Sequence, residues 1–259
     1  MNLLADIFAR KRRELAARAP LGARVRPPGR DFTAALLQRR PEAVINVIAE
    51  VKRRSPSGGP FPHQDLVQVA RGYEAGGASA ISVLTDDVDF GGSVEDLDQV
   101  RAAIRLPVLR KDFLVASQEV EESAAMGADA VLLIADALED GLLREMLSTA
   151  KACRIAALVE AHTAAHAERA LAAGAELVGI NNRDLSTLRT DTATALRVMP
   201  RLRARSRALV AESGLKTAAD FAAAQAAGAD AVLVGESLLR DADPGRALAR
   251  LLAAGDGTK

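Results

Sequence analysis

The pentapeptide GADAV at residues 228–232 has three close counterparts earlier in the chain: GASAI at 77–81, GADAV at 127–131 and GAELV at 174–178. In each case a glycine ends an Ala-rich helical pattern, and an apolar run follows directly. Glycine readily adopts the positive φ that is common just after a helix, and a short apolar run is typical of a buried parallel strand. The repeated segment therefore predicts four junctions at which a helix ends and a strand begins.

Four further apolar runs lie before or between these junctions. The junctions are about 50 residues apart, whereas one strand with its helix takes roughly 25 to 30 residues, so each interval should contain one more strand. Suitable runs occur in the required places, at residues 45–51, 108–111, 157–160 and 208–212. The sequence thus predicts eight strands that alternate with helices.

This alternation indicates the fold class. Strands separated by helices pair in parallel, and eight such units favour a closed barrel over an open sheet. No GxGxxG motif follows the first strand. We predict one α/β domain over residues 1–259, with a (β/α)8 TIM barrel over 44–259 and an N-terminal helical extension over 1–43. The extension is predicted from an amphipathic pattern near its start and a second short pattern capped by Asp31.

The composition excludes several classes of function. Lys plus Arg and Asp plus Glu each total 34, and only 3% of residues are aromatic, so neither net charge nor base stacking favours nucleic acid. Cys153 is the only cysteine, which rules out a disulfide framework. No apolar stretch approaches the roughly 18 residues of a membrane span. We expect a cytoplasmic protein that binds a small molecule and neither nucleic acid nor membrane.

Charged residues end four of the predicted strands: Glu50 with Lys52, Lys111, Glu160 and Glu212. An unpaired buried charge costs several kcal/mol, so these side chains are expected to share one polar pocket. Their parity points them inward at the C-terminal end of the barrel, where barrel enzymes have their active sites. Lysines and carboxylates together indicate general acid–base catalysis with Lys111 as the best candidate for the acid, although a lysine near the barrel axis is also able to form a Schiff base.

A phosphate site is predicted after the last two strands and the first. Barrels commonly bind phosphate there, through backbone N–H groups and the N-terminus of a short helix. Each glycine alone is more typical of a turn, and only their joint position favours phosphate. The residues concerned are Ser55, Gly214, Gly235, Glu236 and Ser237.

Two other segments are predicted to reach the pocket. After the sixth strand, Asn181 offers an amide and Arg183 an anion clamp, with an Asx turn and a surface arginine as the alternative. Phe90 lies in a polar, Gly-rich loop and Phe113 follows Lys111, so both are candidates to face an aromatic substrate. A plain solvated loop and a core phenylalanine are the respective alternatives.

The histidines indicate no metal site. His162 and His166 have the i,i+4 spacing of one helix face, but the HExxH pattern and a third ligand are both missing from the sequence around them. We predict that both lie on an exposed helix face and that the protein uses no metal or cofactor.

The strand-end motifs together resemble those of indole-3-glycerol-phosphate synthase, a barrel enzyme of tryptophan biosynthesis. PVLRKDF at 107–113 and GINNRDL at 179–185 are the most specific, and all the motifs occur in family order across nearly the whole barrel. The other matching segments are AEVKRRSPS at 49–57, LTD at 84–86, FGGS at 90–93, LVEAH at 158–162, AESGL at 211–215 and VGES at 234–237.

The resemblance implies a carboxy-lyase that converts 1-(2-carboxyphenylamino)-1-deoxyribulose 5-phosphate by ring closure, decarboxylation and dehydration. It implies that Lys111 is the general acid and that Glu160 is the base or acid–base partner of dehydration. The implied supporting catalytic residues are Glu50, Lys52, Asn181 and Ser213. The implied substrate-binding residues are Ser55, Phe90, Phe113, Leu132, Arg183, Leu185, Leu188, Glu212, Gly214, Gly235, Glu236 and Ser237.

The match has two departures and leaves two alternatives. Gly58 stands where the family often has lysine, and residues 115–117 replace a stretch that commonly contains Asp and Tyr. The alternatives are another phosphate-binding barrel, such as a class I aldolase with an imine at Lys111, and a non-catalytic barrel that binds a phosphorylated metabolite. We expect a monomer that is able to associate with other enzymes of the tryptophan pathway.

Overall fold

The predicted strands form and close into a barrel. The computed structural model describes residues 3–19, 26–38, 43–56, 58–184 and 187–253. Eight parallel strands follow one another around the sheet in chain order, and the first pairs with both the second and the last. They are β1 (Asn46–Val51), β2 (Ala80–Leu84), β3 (Val108–Lys111), β4 (Ala130–Ile134), β5 (Ala156–Ala161), β6 (Leu177–Asn181), β7 (Ala208–Glu212) and β8 (Ala231–Val234). The prediction of a (β/α)8 TIM barrel is confirmed.

The N-terminal extension contributes a helix to each end of the barrel. Helix α1 (Leu3–Ala17) lies at the C-terminal ends of the strands, where Lys11 Nζ is 2.6 Å from an Asp112 oxygen. Helix α2 (Phe32–Leu37) lies at the opposite end, and its Leu36 carbonyl accepts a hydrogen bond of 2.6 Å from Asn46 at the start of β1. The extension therefore packs directly on the barrel, and the division of the chain at residue 43 stays a prediction.

The remaining helices surround the barrel. Side chains of Asp65, Ser93, Thr163 and Thr217 cap four of them by accepting backbone N–H groups of the first turn. None of the described helices is long and apolar enough to cross a membrane. The helices are α3 (Leu66–Ala75), α4 (Asp87–Phe90), α5 (Val94–Ala103), α6 (Ser117–Ala125), α7 (Asp140–Ala152), α8 (Ala164–Ala172), α9 (Ala193–Leu202), α10 (Ala218–Ala226), α11 (Glu236–Leu239) and α12 (Pro244–Ala253), with a 3₁₀ turn at Arg203–Arg205.

The repeated segment ends helices by a shared hydrogen-bond pattern. Gly127 has a φ of 91°, and the next N–H, that of Ala128, bonds the carbonyl of Ser123 at 2.9 Å. In the last copy Gly228 has a φ of 100°, and the N–H of Ala229 bonds the carbonyl five residues earlier at 3.0 Å. A side chain at these glycines would be strained in the left-handed region. In both of these copies, the glycine thus ends the helix with the same hydrogen bond and directs the chain into the next strand.

Candidate active site

A cavity of about 650 Å³ opens at the C-terminal ends of the strands. Its walls include every residue proposed for the site from sequence except Leu185, which lies outside the described residues. The predicted residues that line it are Glu50, Lys52, Ser55, Phe90, Lys111, Phe113, Leu132, Glu160, Asn181, Arg183, Leu188, Glu212, Ser213, Gly214, Gly235, Glu236 and Ser237. Barrel closure therefore brings together side chains that are up to about 190 positions apart in the sequence.

Lys111 is the central charge of the cavity. Its Nζ lies 3.2 Å from a Glu160 oxygen and 3.2 Å from a Glu212 oxygen, and it comes from β3 while they come from β5 and β7. Burial lowers the pKa of Lys111, but the charges of Glu212 and Glu160 outweigh it and raise the pKa above its ordinary value. The side chain is therefore an ammonium ion that is placed to donate a proton.

Glu160 and Glu212 form a carboxyl pair around that lysine. For Glu160, burial raises the pKa, but Lys111 and His162 reverse the shift and lower it. For Glu212, burial raises the pKa, the neighbouring Glu160 charge adds to this, and Lys111 does not offset both. Two buried carboxylates in contact cannot both ionise readily, so the pair holds one proton.

Space for Glu212 is provided by a glycine on the neighbouring strand. A Cβ atom built on Gly179 of β6 would clash with Glu212 Oε1. That oxygen is buried and has no hydrogen-bond partner in the described part of the chain. The absence of a side chain at position 179 thus lets the second carboxyl lie beside Lys111, and inspection of the motif alone would not single it out.

A second ion pair lies on β1 and the segment just after it. Lys52 Nζ pairs with Glu50, and both side chains are buried. The Lys52 ammonium also lies 5.7 Å from the centre of the Phe61 ring, which places it over an aromatic face. Gly235, directly after β8, leaves room for Glu50, because a Cβ there would lie 2.7 Å from a Glu50 oxygen. The cavity therefore contains two separate lysine–carboxylate groups.

The predicted phosphate end of the cavity is polar and cationic. Arg183 lies 3.2 Å from one oxygen of Glu236, and Arg240 lies 3.1 Å from the other. Ser213 and Gly214 have φ angles of 64° and 80°, so two consecutive left-handed residues shape the turn after β7. Left-handed backbone at a non-glycine residue is strained and is often found at functional sites. Arg240 was not among the residues proposed from sequence.

The segment after β6 combines the two possibilities that its sequence allows. Asn181 Oδ1 accepts the N–H of Arg183 at 2.9 Å, which is the contact of an Asx turn. The Arg183 side chain nevertheless lines the cavity and is only partly exposed. The turn therefore aims the guanidinium at the pocket.

An apolar wall lies opposite the charged groups. The rings of Phe90 and Phe113 are 6.1 Å apart, and Phe8 of α1 packs edge-on against Phe113 at 6.1 Å. Phe90 belongs to the short helix α4, within the segment that was predicted to be a loop. Leu132 and Leu188 complete the wall, and α1 adds Leu3, Leu4 and Ile7. The contribution of α1 was not predicted, because its apolar stripe carries no sign of what it covers.

The prediction for His162 was wrong. It precedes helix α8, its side chain is only 10% exposed, and its Nε2 lies 3.4 Å from Glu160 Oε1. His166 is within α8 and is 32% exposed. Both approach Asp136, which follows β4. The position of His162 could have been inferred from its spacing to Glu160. It lies two residues further on, and in an extended chain such residues point to the same side.

The two sequence comparisons with known proteins agree on one family. The sequence model described as indole-3-glycerol phosphate synthase matches residues 4–251. Relatives with that name include one from Mycobacterium avium (strain 104), 47% identical over 97% of this chain and 91% of the relative. Another, from Kineococcus radiotolerans, is 46% identical over 98% of this chain and 96% of the relative.

A solved structure supports the fold alone. Thiamine phosphate pyrophosphorylase from Pyrococcus furiosus is similar to this chain with a TM-score of 0.61, covering 82% of this chain and 96% of that one. The two sequences are 15% identical. At that identity the likeness says nothing about the reaction.

Proposed function

The chain belongs to the indole-3-glycerol phosphate synthase family, and from that membership we propose how its own residues divide the work of the reaction. The enzyme is a decarboxylating lyase of tryptophan biosynthesis that acts on a small phosphorylated substrate. The observation that carries the assignment of roles is the position of Lys111 Nζ, 3.2 Å from both Glu160 and Glu212 inside the cavity.

Lys111 is proposed as the general acid of ring closure. As the aryl carbon that bears the carboxylate attacks the ketone carbon, negative charge develops on the ketone oxygen. The Lys111 ammonium donates a proton to that oxygen, which becomes a hydroxyl group, and the carboxylate then leaves as CO₂ and restores the aromatic ring. A positioned cation stabilises the developing charge most strongly where water is excluded.

Glu160 is proposed as the base of dehydration. Loss of water from the ring-closed intermediate requires removal of a proton from the carbon next to nitrogen and delivery of a proton to the leaving hydroxyl. Glu160 has the lowered pKa of an ionised carboxylate and takes the first proton. The second comes from the Lys52 ammonium, or from Lys111 after it has taken up a proton from solvent to replace the one given in ring closure, so the step releases one water and leaves Glu160 protonated.

The apolar wall and the phosphate end fix the substrate at its two extremes. Phe90, Phe113, Leu132 and Leu188 are proposed to hold the aromatic ring, with Leu185 proposed from the family pattern. At the other extreme, the phosphate competes with Glu236 for Arg183. Exclusion of water by an apolar wall favours loss of CO₂ because it removes solvation from the carboxylate. The remaining phosphate contacts are assigned to Ser55, Gly214, Gly235 and Ser237, and the supporting catalytic roles to Glu50, Lys52, Asn181 and Ser213.

The direct test is formation of the indole chromophore. Purified protein is incubated with 1-(2-carboxyphenylamino)-1-deoxyribulose 5-phosphate, and indole absorbance and CO₂ release are followed together. We expect one CO₂ for each indole formed. If folded protein gives neither product, the proposal is wrong.

An imine mechanism is the discriminating alternative for Lys111. Imine formation requires a neutral amine, and the negative charge of the carboxyl pair keeps Lys111 protonated. Treatment with borohydride in the presence of substrate should therefore leave Lys111 unmodified. A reduced adduct on that residue, detected by mass spectrometry, would overturn the acid–base assignment.

The cytoplasmic location, the monomeric state and the association with other pathway enzymes stay predictions. Sedimentation of the purified chain tests the monomeric state. A single species of about 27 kDa is expected, against the sequence mass of 27.2 kDa.

A further inference from the structure

Lys111 does not distinguish between its two carboxyl partners. Glu160 and Glu212 lie at the same distance from Nζ, 3.2 Å, and their side chains are 3% and 1% exposed. Both project into one cavity, and the pair holds one proton. Something other than Lys111 must decide which of the two carboxyl groups is ionised and so able to act as a base.

His162 lies on the Glu160 side of the pair. Its Nε2 is 3.4 Å from Glu160 Oε1, is buried, and has no hydrogen-bond partner in the described part of the chain. The described residues place no second cation within ion-pair distance of Glu212. Among the charged groups of the described residues, it is thus one imidazole ring that makes the environments of the two carboxyl groups unequal.

Asp136 contacts the His162 ring directly, and His166 contacts the same Asp136 carboxylate. Asp136 Oδ2 lies 3.2 Å from His162 Nδ1 and accepts the His162 backbone N–H at 3.3 Å. Asp136 Oδ1 lies 2.6 Å from His166 Nδ1. A carboxylate at Nδ1 fixes the orientation of a histidine and favours its protonated form.

The charges around His162 support the imidazolium form. Burial lowers the pKa of His162, but Asp136, Glu160 and Glu212 more than compensate and raise it above its ordinary value. The remaining charged group in contact with the carboxyl pair is Lys111, and the Glu50–Lys52 ion pair lies on β1 and the segment after it. Asn181 is the neutral polar group on the Glu160 side.

We propose that His162, held by Asp136, keeps Glu160 ionised and leaves the shared proton on Glu212, so that Glu160 is the carboxylate available as the base. His162 is a positioning residue, because it acts through Glu160 and does not line the cavity. The proposal rests on the acid–base assignment given above. It predicts that loss of the imidazolium makes the two carboxyl groups more alike.

The first experiment reads the carboxyl groups directly and needs no substrate. Enzyme labelled with ¹³C at the glutamate carboxyl is titrated by NMR, and Glu160→Gln and Glu212→Gln identify the two signals. In His162→Gln, the Glu160 midpoint should rise by at least one pH unit, which is about a tenfold change in its ionisation constant, and the Glu212 midpoint should fall. Two unchanged midpoints overturn the proposal.

A matched control is available in the same chain. His63 contacts the Asp241 carbonyl at 2.7 Å through Nε2 and is not among the residues that line the cavity. His63→Gln makes the same chemical change and should leave both midpoints at their wild-type values. If it shifts the Glu160 midpoint as much as His162→Gln does, the effect is not local and the proposal fails.

The second experiment uses the reaction. Because the imidazolium favours ionised Glu160, its removal should move the acidic limb of the kcat–pH profile to higher pH and leave KM nearly unchanged. Asp136→Asn should move the limb in the same direction by less, and it serves also if His162→Gln does not fold. A uniform fall in kcat with an unmoved limb indicates a purely structural role and overturns the proposal. Absence of product from wild type refutes the proposed function instead, and the NMR midpoints still test His162.

Discussion

Asp129 and Asp230 at the N-terminal end of this barrel differ from the Glu160–Glu212 pair in the cavity at the other end in how many donors surround each carboxylate. At the N-terminal end, Asp129 belongs to a copy of the repeated segment and accepts the N–H of Val108 at 2.9 Å, the N–H of Arg30 at 2.7 Å and the guanidinium of Arg101 at 3.3 Å. Asp230, which is half-buried in the last copy, accepts the N–H of Leu209 at 2.8 Å and pairs with Arg203. Both are well supplied with donors.

Around the Glu160–Glu212 pair in the cavity, donors are scarce. Glu160 and Glu212 share Lys111, and one Glu212 oxygen has no partner among the described residues. A buried carboxylate with enough donors holds strands together, whereas one with too few holds a proton that is easily moved. The difference teaches that the same functional group, a carboxyl, serves stability at the N-terminal end and proton transfer in the cavity.

The largest expected effect is a loss of kcat on replacement of Lys111 in the cavity. Lys111→Ala should lower kcat by about 10³-fold, because it removes the proposed general acid, while the fold survives because two carboxyl groups can share protons. Steady-state kinetics and circular dichroism measure the two outcomes. Lys151→Ala, at an exposed position of α7, is the matched control and should leave kcat unchanged. Near-normal kcat in Lys111→Ala contradicts the assigned role.

For Asp129, at the N-terminal end, the expected loss is in stability and not in kcat. Asp129→Ala should reduce the free energy of unfolding by about 3 kcal/mol, because it leaves the Arg101 charge and the Val108 N–H without their partner. Urea denaturation measures the loss. Asp6→Ala, at an exposed position of α1, should change stability by less than about 0.5 kcal/mol. A large loss of kcat in folded Asp129→Ala, with stability intact, would break the contrast between the two ends.

Gly179 tests whether the arrangement of the carboxyl pair matters. Gly179→Ala should displace the Glu212 carboxyl, since the added Cβ clashes with it, and should lower kcat roughly 10- to 100-fold with a smaller change in stability. Kinetics and thermal denaturation separate the two effects. Gly141→Ala, on α7, has open space around the added carbon and should be active. Full activity in Gly179→Ala would show that the position of Glu212 is unimportant.

The smallest expected effect, taken per pH unit, is in the pH dependence of stability. Burial raises the pKa of Glu212 to about 8, so the folded protein retains a proton that the unfolded chain has lost above pH 5. The stabilisation is complete below the unfolded pKa and disappears as pH rises through about 8. Glu212→Gln should therefore make stability between pH 5 and 8 less dependent on pH, by about 1 kcal/mol per pH unit.

The control for this measurement is an exposed glutamate. Glu176→Gln removes a surface ion pair with Arg207 and should leave the slope of stability against pH as in wild type. The free energy of unfolding is measured at each pH with urea. If Glu212→Gln and wild type have parallel pH profiles, Glu212 does not hold the proton in the folded state.

Most of the site residues were predictable because the end of a strand can be recognised from a few neighbouring residues. The charges of Glu50, Lys111 and Glu160 were visible as interruptions of apolar runs, and the alternation of side chains pointed them inward. His162 was misplaced because its i,i+4 spacing to His166 suggested a helix, whereas the helix begins only at Ala164. The part played by Gly179 was not predictable, because its neighbour is on another strand.

The sequence by itself determined the eight strands, their order and the end of the barrel at which the charged residues meet. These follow from glycine after helices, apolar runs and two-residue alternation, which act over a few neighbouring positions. Only the tertiary structure decided that Glu160 and Glu212 share Lys111, that His162 reaches one of them, and that α1 covers the apolar wall. Those contacts depend on the register and closure of the whole barrel, because they join atoms from strands far apart in the chain.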